Sequence, residues 1–540
     1  MRRPLGDERY HVIVIGGGIN GVAIARACAL AGKRTLLLEQ HDFASGTTSR
    51  STRVIHGGLR YLEHAEIGLV RQSLRERARL LGQRPHLVHP INFLLALNEN
   101  SRRSALSVRT GLWLYSRMGG SLGTQLGKTD QYKLERVLDA GRRWSIFNFE
   151  DAQCEFPERL VAEWLVEAVE AGAEARNHAQ VLAIDVRHGR AQGLLVRDQF
   201  SGKEERVEGT WIINASGPWV DRLCHRSRIN TNGRLVGGVR GTHIVLPRFS
   251  GVSEAAVYAE ALDGRPFFVV PWNEQVLVGT TEVADNGDPA RTQATNEEVE
   301  YLLRSLHQLF PKTKFSGHDV VYAFAGIRPL PFSPKQSPSS VTRKHFLHHH
   351  RDDGAANMIS VIGGKLTTAV QLARECVARI GVRTNSSEAP VALADGNLDA
   401  FLQEWTQTII AEGAVPETTA QAIVEWHGKR AGAIAELARG SAHMRAPLCS
   451  HTEHIVAEAA DAFANQRAAT LGDVLLRRVP VALGACWSDA CSRSAARRIA
   501  TVMRWTEAET AAELEAFENE RAEFLRKPAH SKALLEAAAD

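Results

Sequence analysis

Residues 10–39, YHVIVIGGGINGVAIARACALAGKRTLLLE, place Gly16, Gly18 and Gly21 at the spacing G-x-G-x-x-G. No other stretch limits the fold as strongly. His11–Ile15 is an apolar, β-branched run and reads as a buried strand. Val22–Leu30 is alanine-rich and helical in character, and Gly32 suits its C-terminal end. Thr35–Leu38 reads as a second strand that ends at Glu39. Strand, glycine turn, helix and strand at this length predict a parallel βαβ unit that holds a dinucleotide. Gly16 permits the tight turn, Gly18 lets backbone approach a pyrophosphate, and Gly21 lets helix and strand pack closely. The helix N-terminus then offers N–H groups to the anion. Glu39 stands 23 residues beyond Gly16, where a carboxylate can accept from a ribose diol. A glycine turn without a ligand would leave Glu39 unexplained.

The following loop, QHDFASGTTSRSTRVIHGG, carries Ser45, Thr47, Thr48, Ser49, Ser51 and Thr52. So many hydroxyls offer donors to phosphates and ribityl oxygens. They fit an extended FAD better than NAD, although spacing alone leaves both open. The chain of 540 residues is long enough for two to four domains. Its formal charge of +4 does not argue for nucleic acid, and is compatible with an anionic substrate or an anionic membrane surface. Seven cysteines, scattered and without a CxxC pair, read as reduced cytosolic thiols, and Cys486 and Cys491 have no metal-type partners nearby in sequence. Arginines and an apolar run near the start resemble a signal peptide, but Asp7, Glu8 and the glycine pattern argue against one. No apolar run reaches the roughly 18 residues of a membrane-spanning helix.

Further along, a helix is expected around Leu160–Ala171, a strand near Ala179–Val186, a hairpin-like pair at Gly193–Arg197 and Arg206–Val207, and a strand at Trp211–Ala215. Residues 233–350 contain GTHIVLP, PFFVVPW and QVLVGTT, short strand-like runs bounded by Gly, Pro and Asn. Thr295 to Glu298 forms a capping box before a helix that Pro311 ends, and Thr506 to Glu509 forms another. MISVIGGKLTTAV reads as a strand, a glycine pair and a helix start, which again suits an anion or a polarised flavin edge. From about residue 396 the chain becomes alanine-rich and helical.

The first glycine run, the hydroxyl loop and IHGGLRYLEH together resemble the FAD-dependent, quinone-linked glycerol-3-phosphate dehydrogenases. INASGPWVD, RGTHIVLP, FFVVPW, VGTTEV, AGIRPL, VTR and VIGGKLTT follow in that family's order. Arg53 departs from it, standing where many members have lysine, and HFLHHHRDDG is unusually rich in histidine. The resemblance implies oxidation of sn-glycerol 3-phosphate to dihydroxyacetone phosphate by hydride transfer to FAD. It implies Arg60, Tyr61, Thr281, Arg343 and Lys365 as substrate contacts and Arg328 as catalytic. His243 is the candidate base, a role that the near-neutral pKa of an unperturbed histidine suits. His56 competes for that role but reads better as a flavin contact. Implied FAD contacts are Gly16, Gly17, Gly18, Ile19, Asn20, Gly21, Glu39, Thr48, Ser49, Ser51, Thr52, His56, Gly58, Leu59, Val181, Ala215, Gly217, Gly364, Lys365, Leu366 and Thr367.

The expected fold class is α/β and α+β, with a discontinuous Rossmann-like FAD domain (10–98, 151–230, 355–385). An antiparallel-sheet substrate or cap domain (99–150, 231–354) and a helical C-terminal domain (396–535) complete it. No metal is expected, because adjacent histidines at 348–350 point to opposite faces of a strand. Residues 102–120 mix arginines, Trp113 and Tyr115 with apolar residues, as an interfacial helix does, and as a buried helix with a basic face also does. The expected partners are glycerol 3-phosphate, a quinone and the membrane surface, with a homodimer left open. The expected location is cytoplasmic, peripheral on the inner face of the membrane. Two other readings stand beside this one: an FAD oxidase acting on glycerol 3-phosphate or on other hydroxy or amino acids, and a non-enzymatic flavin-bound scaffold.

Overall fold

The structure, a computed structural model, describes residues 5, 9–121, 126–249, 252, 254–383 and 398–527. The glycine fingerprint folds as its spacing dictates. Strand Tyr10–Ile15 runs into helix Ile19–Leu30 and back through strand Thr35–Leu38, and the two strands pair in parallel. Both are almost wholly buried, which is why neither alternates with polar residues. Gly21 sits so close to the strand end that a Cβ there would lie 1.8 Å from the Gly16 carbonyl oxygen. The first sheet has the order Phe346–His349, Met358–Ile362, Glu204–Asn214, Tyr10–Ile15, Thr35–Leu38, Glu174–Arg176.

Helix Pro157–Glu170 and strand Ala179–Arg187 appear where expected. The two expected strands at 206–207 and 211–215 are one, Glu204–Asn214. Its first half pairs antiparallel with Arg190–Asp198 and its second half pairs parallel with Tyr10–Ile15. No turn intervenes because Gly209 lies flat against Ile13, which a side chain would strike at 2.7 Å.

The second sheet is mostly antiparallel and carries the strands expected from GTHIVLP, PFFVVPW and QVLVGTT as Val236–Pro247, Pro266–Trp272 and Gln275–Gly279, together with Tyr322–Pro331, which was not expected. It also takes Val54–Ile55 and Val88–Asn98, which corrects the placement of all of 10–98 in the nucleotide-binding part. The reason is an eleven-position ladder that ties Val88–Asn98 to Trp144–Cys154. Conversely, Phe346–His349 belongs to the first sheet, where it pairs with Met358–Ile362. Both capping boxes form as read, on helices Asn296–Leu309 and Glu507–Phe524.

Helices fill the C-terminal part, and an ion network docks them on the loop that follows Glu39. Arg478 clamps Asp42 with both terminal nitrogens at 2.7 Å, and Arg477 binds the same carboxylate. Asn177 bridges Asp42 and Asp473. Every member is buried or nearly so, and breaking such a network strands charges in the interior. Folding brings Cys449 and His451, both distant in sequence, beside Cys491. The expected C-terminal limits, 396 and 535, fall outside the described residues.

Candidate active site

A cavity of about 1120 Å³ lies between the two sheets. The nucleotide end is built from the first helix N-terminus. Gly16 takes φ +105°, a conformation open to glycine, and the N-cap residue of Ile19–Leu30 is Gly18, which has no side chain to cap the helix. First-turn N–H groups beyond that of Ile19 therefore remain to meet an anion. Thr48 accepts from the Ile19 N–H at 3.0 Å and holds the hydroxyl loop against this turn. Glu39 is fixed by the Gly17 N–H at 2.7 Å and the His41 N–H at 2.9 Å, which leaves lone pairs for a diol. Asn20 gives its Nδ2 to the Gly363 carbonyl, while its buried Oδ1 lacks a protein partner. The free acceptor, the bare glycine turn and the hydroxyl loop fit FAD.

The segment HGGLRY is held by a buried post. Asp151 accepts from the Gly57 N–H, the Tyr115 hydroxyl and Arg77, each at 2.8 Å. Gly58 adopts φ +86° and starts a tight turn over Leu59–His64, which turns Arg60 and Tyr61 into the cavity. A Cβ on Gly57 would meet the Tyr115 hydroxyl at 2.0 Å, so the glycine pair is a packing requirement. Lys365 arrives from the other sheet after Gly363 and Gly364, both at positive φ. Its ammonium donates to Ser73 at 3.1 Å and sits 4.2 Å from the centre of the Tyr61 ring.

Arg328 projects from strand Tyr322–Pro331 and lies across Gly241, whose missing Cβ would stand 2.5 Å from the guanidinium. It donates to Thr280 Oγ1 at 2.9 Å. Arg343 binds Glu282 at 2.7 Å and Arg60 reaches the same oxygen at 3.4 Å. The other Glu282 oxygen is buried without a partner. Burial opposes ionisation of Glu282, but Arg328, Arg343 and Arg60 outweigh it and hold the carboxyl below its usual value. Four cationic side chains thus face two carboxylates, Glu282 and Glu66, and the excess is positive. Burial, then Arg343, pushes Arg328 down to about 10, so it stays charged at neutral pH.

His243 packs its ring on Phe324 at 5.1 Å and places Nε2 2.9 Å from Thr52 Oγ1. Burial, then Arg328 and Arg53, pushes it well below its usual value, so the ring is neutral. His56 is likewise pushed down to about 3 by burial, Lys365 and Arg343.

The sequence-predicted residues that line the cavity are Gly16, Gly18, Ile19, Asn20, Glu39, Thr48, Ser49, Ser51, Thr52, His56, Gly58, Leu59, Arg60, Tyr61, Val181, Ala215, Gly217, His243, Arg328, Arg343, Gly364, Lys365, Leu366 and Thr367. Three do not face it. Gly17 spends its N–H on Glu39, and Gly21 is sealed against Gly16. Thr281 turns away: its hydroxyl accepts from the Thr242 N–H at 2.9 Å and donates to Glu298 at 2.7 Å. Its neighbours Thr280 and Glu282 face the cavity instead, as alternation along an extended segment allows. Arg53 is buried at φ +63°, pairs with Glu158 at 2.9 Å and stacks on Trp272 at 4.4 Å. The sequence also gave no sign that Tyr258 and, from the C-terminal helix, Phe524 line the same space.

Residues 11–370 match the family described as FAD dependent oxidoreductase, and residues 359–510 match the C-terminal domain of alpha-glycerophosphate oxidase. The glycerol-3-phosphate dehydrogenase of Synechocystis sp. is 35% identical over 496 residues, spanning 88% of this chain and 90% of its own. The chain belongs to the FAD-dependent glycerol-3-phosphate dehydrogenase family. Within that family, FAD is the cofactor for which the glycine turn, Glu39 and the hydroxyl loop are shaped. The D-erythritol 1-phosphate dehydrogenase of Brucella abortus is 36% identical over 384 residues, covering 69% of this chain and 74% of its own. The X-ray structure of the glycerol-3-phosphate dehydrogenase from Bacillus halodurans complexed with FAD superposes with a TM-score of 0.76 at 24% identity, over 97% of both chains. That likeness shows a shared fold.

Proposed function

We propose that this chain oxidises sn-glycerol 3-phosphate to dihydroxyacetone phosphate and delivers the electrons to a membrane quinone. The observation that carries this reading is the group Arg60, Arg328 and Arg343 around a single carboxylate, in the cavity that also holds the nucleotide turn. A phosphate dianion suits permanently charged, multidentate donors. The glycine turn, Glu39 and the hydroxyl loop would hold FAD, which would supply the hydride acceptor for the alcohol carbon. The protein orients the ester, excludes water and receives the hydroxyl proton. Arg60, Arg343 and Lys365 hold the phosphate in this reading. Arg328 steadies charge that develops on the alcohol oxygen as its proton leaves. His243, neutral in the free site, is the proton acceptor; burial and, secondarily, the Arg328 charge depress its basicity, and an arriving dianion offsets the second of these.

The acceptor reading rests on the family and on the exposed face of helix Ala105–Arg117. There Leu106 and Trp113 are 73% and 56% exposed, with Arg117 stacked on Trp113. No helix among the described residues is long and apolar enough to cross a membrane. One experiment separates the readings. Anaerobic sn-glycerol 3-phosphate should bleach the oxidised flavin band of the holoenzyme, and glycerol or glycine should not. Quinone in anionic vesicles should restore the band faster than air does. Equally fast return in air would make the chain an oxidase, and no bleaching with any small alcohol or amine would leave a flavin scaffold.

The pH dependence should follow Lys365, which burial, and secondarily Arg343, pushes down to about 7 against the pull of Glu66. The unfolded lysine titrates near ~10.4, so between about 7 and that value the unfolded chain holds the extra proton. Fold stability therefore rises with pH across this window. Binding of a phosphate ester runs the other way, because the ammonium charge is lost above about 7. KM should climb from pH 7 to 9 in wild type and change less in Lys365→Met. Equal slopes in steady-state profiles would remove Lys365 from the phosphate site.

A further inference from the structure

Far along the chain from the arginine cup, two turns of the C-terminal region bring sulfur and imidazole together. Cys449 and His451 lie on the turn that leads into helix Val456–Asn465, and Cys491 lies in the first turn of helix Asp489–Met503. The two sulfurs and a His451 ring nitrogen all lie within 4.8 Å of one another. His451 Nδ1 stands 3.4 Å from Cys491 Sγ. Cys486 borders the group, its Sγ 3.7 Å from the His451 carbonyl oxygen. Cys449 and Cys491 are buried, Cys486 is exposed, and none is in a disulfide.

We propose that Cys449, His451, Cys486 and Cys491 bind one zinc ion. Three thiolates and one imidazole on two short turns suit a closed tetrahedral site for a borderline-soft d¹⁰ cation. The turns are already set by the protein. Leu448 donates its N–H to the His454 carbonyl at 2.8 Å, and Ser488 caps the second helix through the Cys491 N–H. Binding requires the exposed Cys486 to swing inward and each thiol to release one proton, with no change of oxidation state.

Two other clusters of metal-ligand type lack this freedom. His350 already has Asp353 on Nδ1 and Ser360 on Nε2, each at 2.7 Å. Asp42 and Asp473 are neutralised by Arg477 and Arg478. The zinc site would also have a structural task. Leu483, three residues before Cys486, accepts from Tyr322 at 2.7 Å and Gln275 at 3.0 Å, so the second turn adjoins the sheet that carries Arg328.

The test uses untagged holoenzyme expressed with added zinc and dialysed without chelator. Elemental analysis should give about one zinc per chain, the stoichiometry of a closed structural site. Cys449→Ser, His451→Ala and Cys491→Ser should each lose most of it while keeping FAD, which separates loss of metal from loss of fold. Zinc-edge X-ray absorption of wild type should show a shell dominated by sulfur near ~2.3 Å, and this result does not depend on any variant folding. Sub-stoichiometric zinc, undiminished zinc in the variants, or a nitrogen and oxygen shell would overturn the proposal. So would an intact mass showing that Cys449 and Cys491 have lost two hydrogens to a disulfide.

Discussion

Arg328→Lys is expected to lower kcat/KM for sn-glycerol 3-phosphate by roughly 10²–10³-fold, the cost of removing one preorganised charged donor from a dry site. Lysine keeps the charge but loses the planar fork. The fork is what the site is built for: the guanidinium lies flat over Gly241 and fixes one nitrogen on Thr280 Oγ1 at 2.9 Å. A shorter, round ammonium reaches neither partner in the same pose. Most of the loss should fall on kcat, because Arg60, Arg343 and Lys365 still hold the phosphate. Stopped-flow bleaching under anaerobic conditions isolates the reductive step. A variant whose bleaching slows less than about tenfold would place Arg328 outside the site's transition-state contacts.

Gly21→Val should yield protein without flavin. The first Cβ would already stand 1.8 Å from the Gly16 carbonyl oxygen, which belongs to rigid backbone at a φ of +105°. Relief requires the helix to back away from Tyr10–Ile15, and that removes the N–H groups from the pyrophosphate position. Overpacking of this kind costs about 1–3 kcal/mol in stability before any cofactor is considered. The lost cofactor adds the stabilisation that a ligand of the native state confers. The ratio of visible flavin absorbance to protein absorbance should fall close to zero, and the melting temperature should drop well below that of wild type. Normal flavin content would mean that the fingerprint turn is not the pyrophosphate seat.

The sequence disclosed the central parallel pair of the first sheet, Tyr10–Ile15 and Thr35–Leu38, because glycine spacing and buried β-branched runs are local signals. Thr35–Leu38 and both capping boxes fell where local chemistry put them. Membership of the second sheet was less legible. Val88–Asn98 is paired by a segment some fifty residues away, and nothing local announces such a ladder. The same gap explains Asp151, which props the glycine pair from 94 positions along the chain. In VGTTEV, Thr280 and Glu282 share the side that lines the cavity, as alternation along an extended segment allows, while Thr281 faces the other way. The Cys449, His451 and Cys491 cluster could not be seen, because forty residues separate its two turns.

Crystals of the holoenzyme soaked in dihydroxyacetone phosphate would place the anion directly. The phosphorus should lie among the guanidinium groups of Arg60 and Arg343, within hydrogen-bonding reach of Lys365, with Arg328 on the carbonyl end. A phosphate seated elsewhere, with Glu282 still the sole anionic partner of Arg60 and Arg343, would contradict that arrangement.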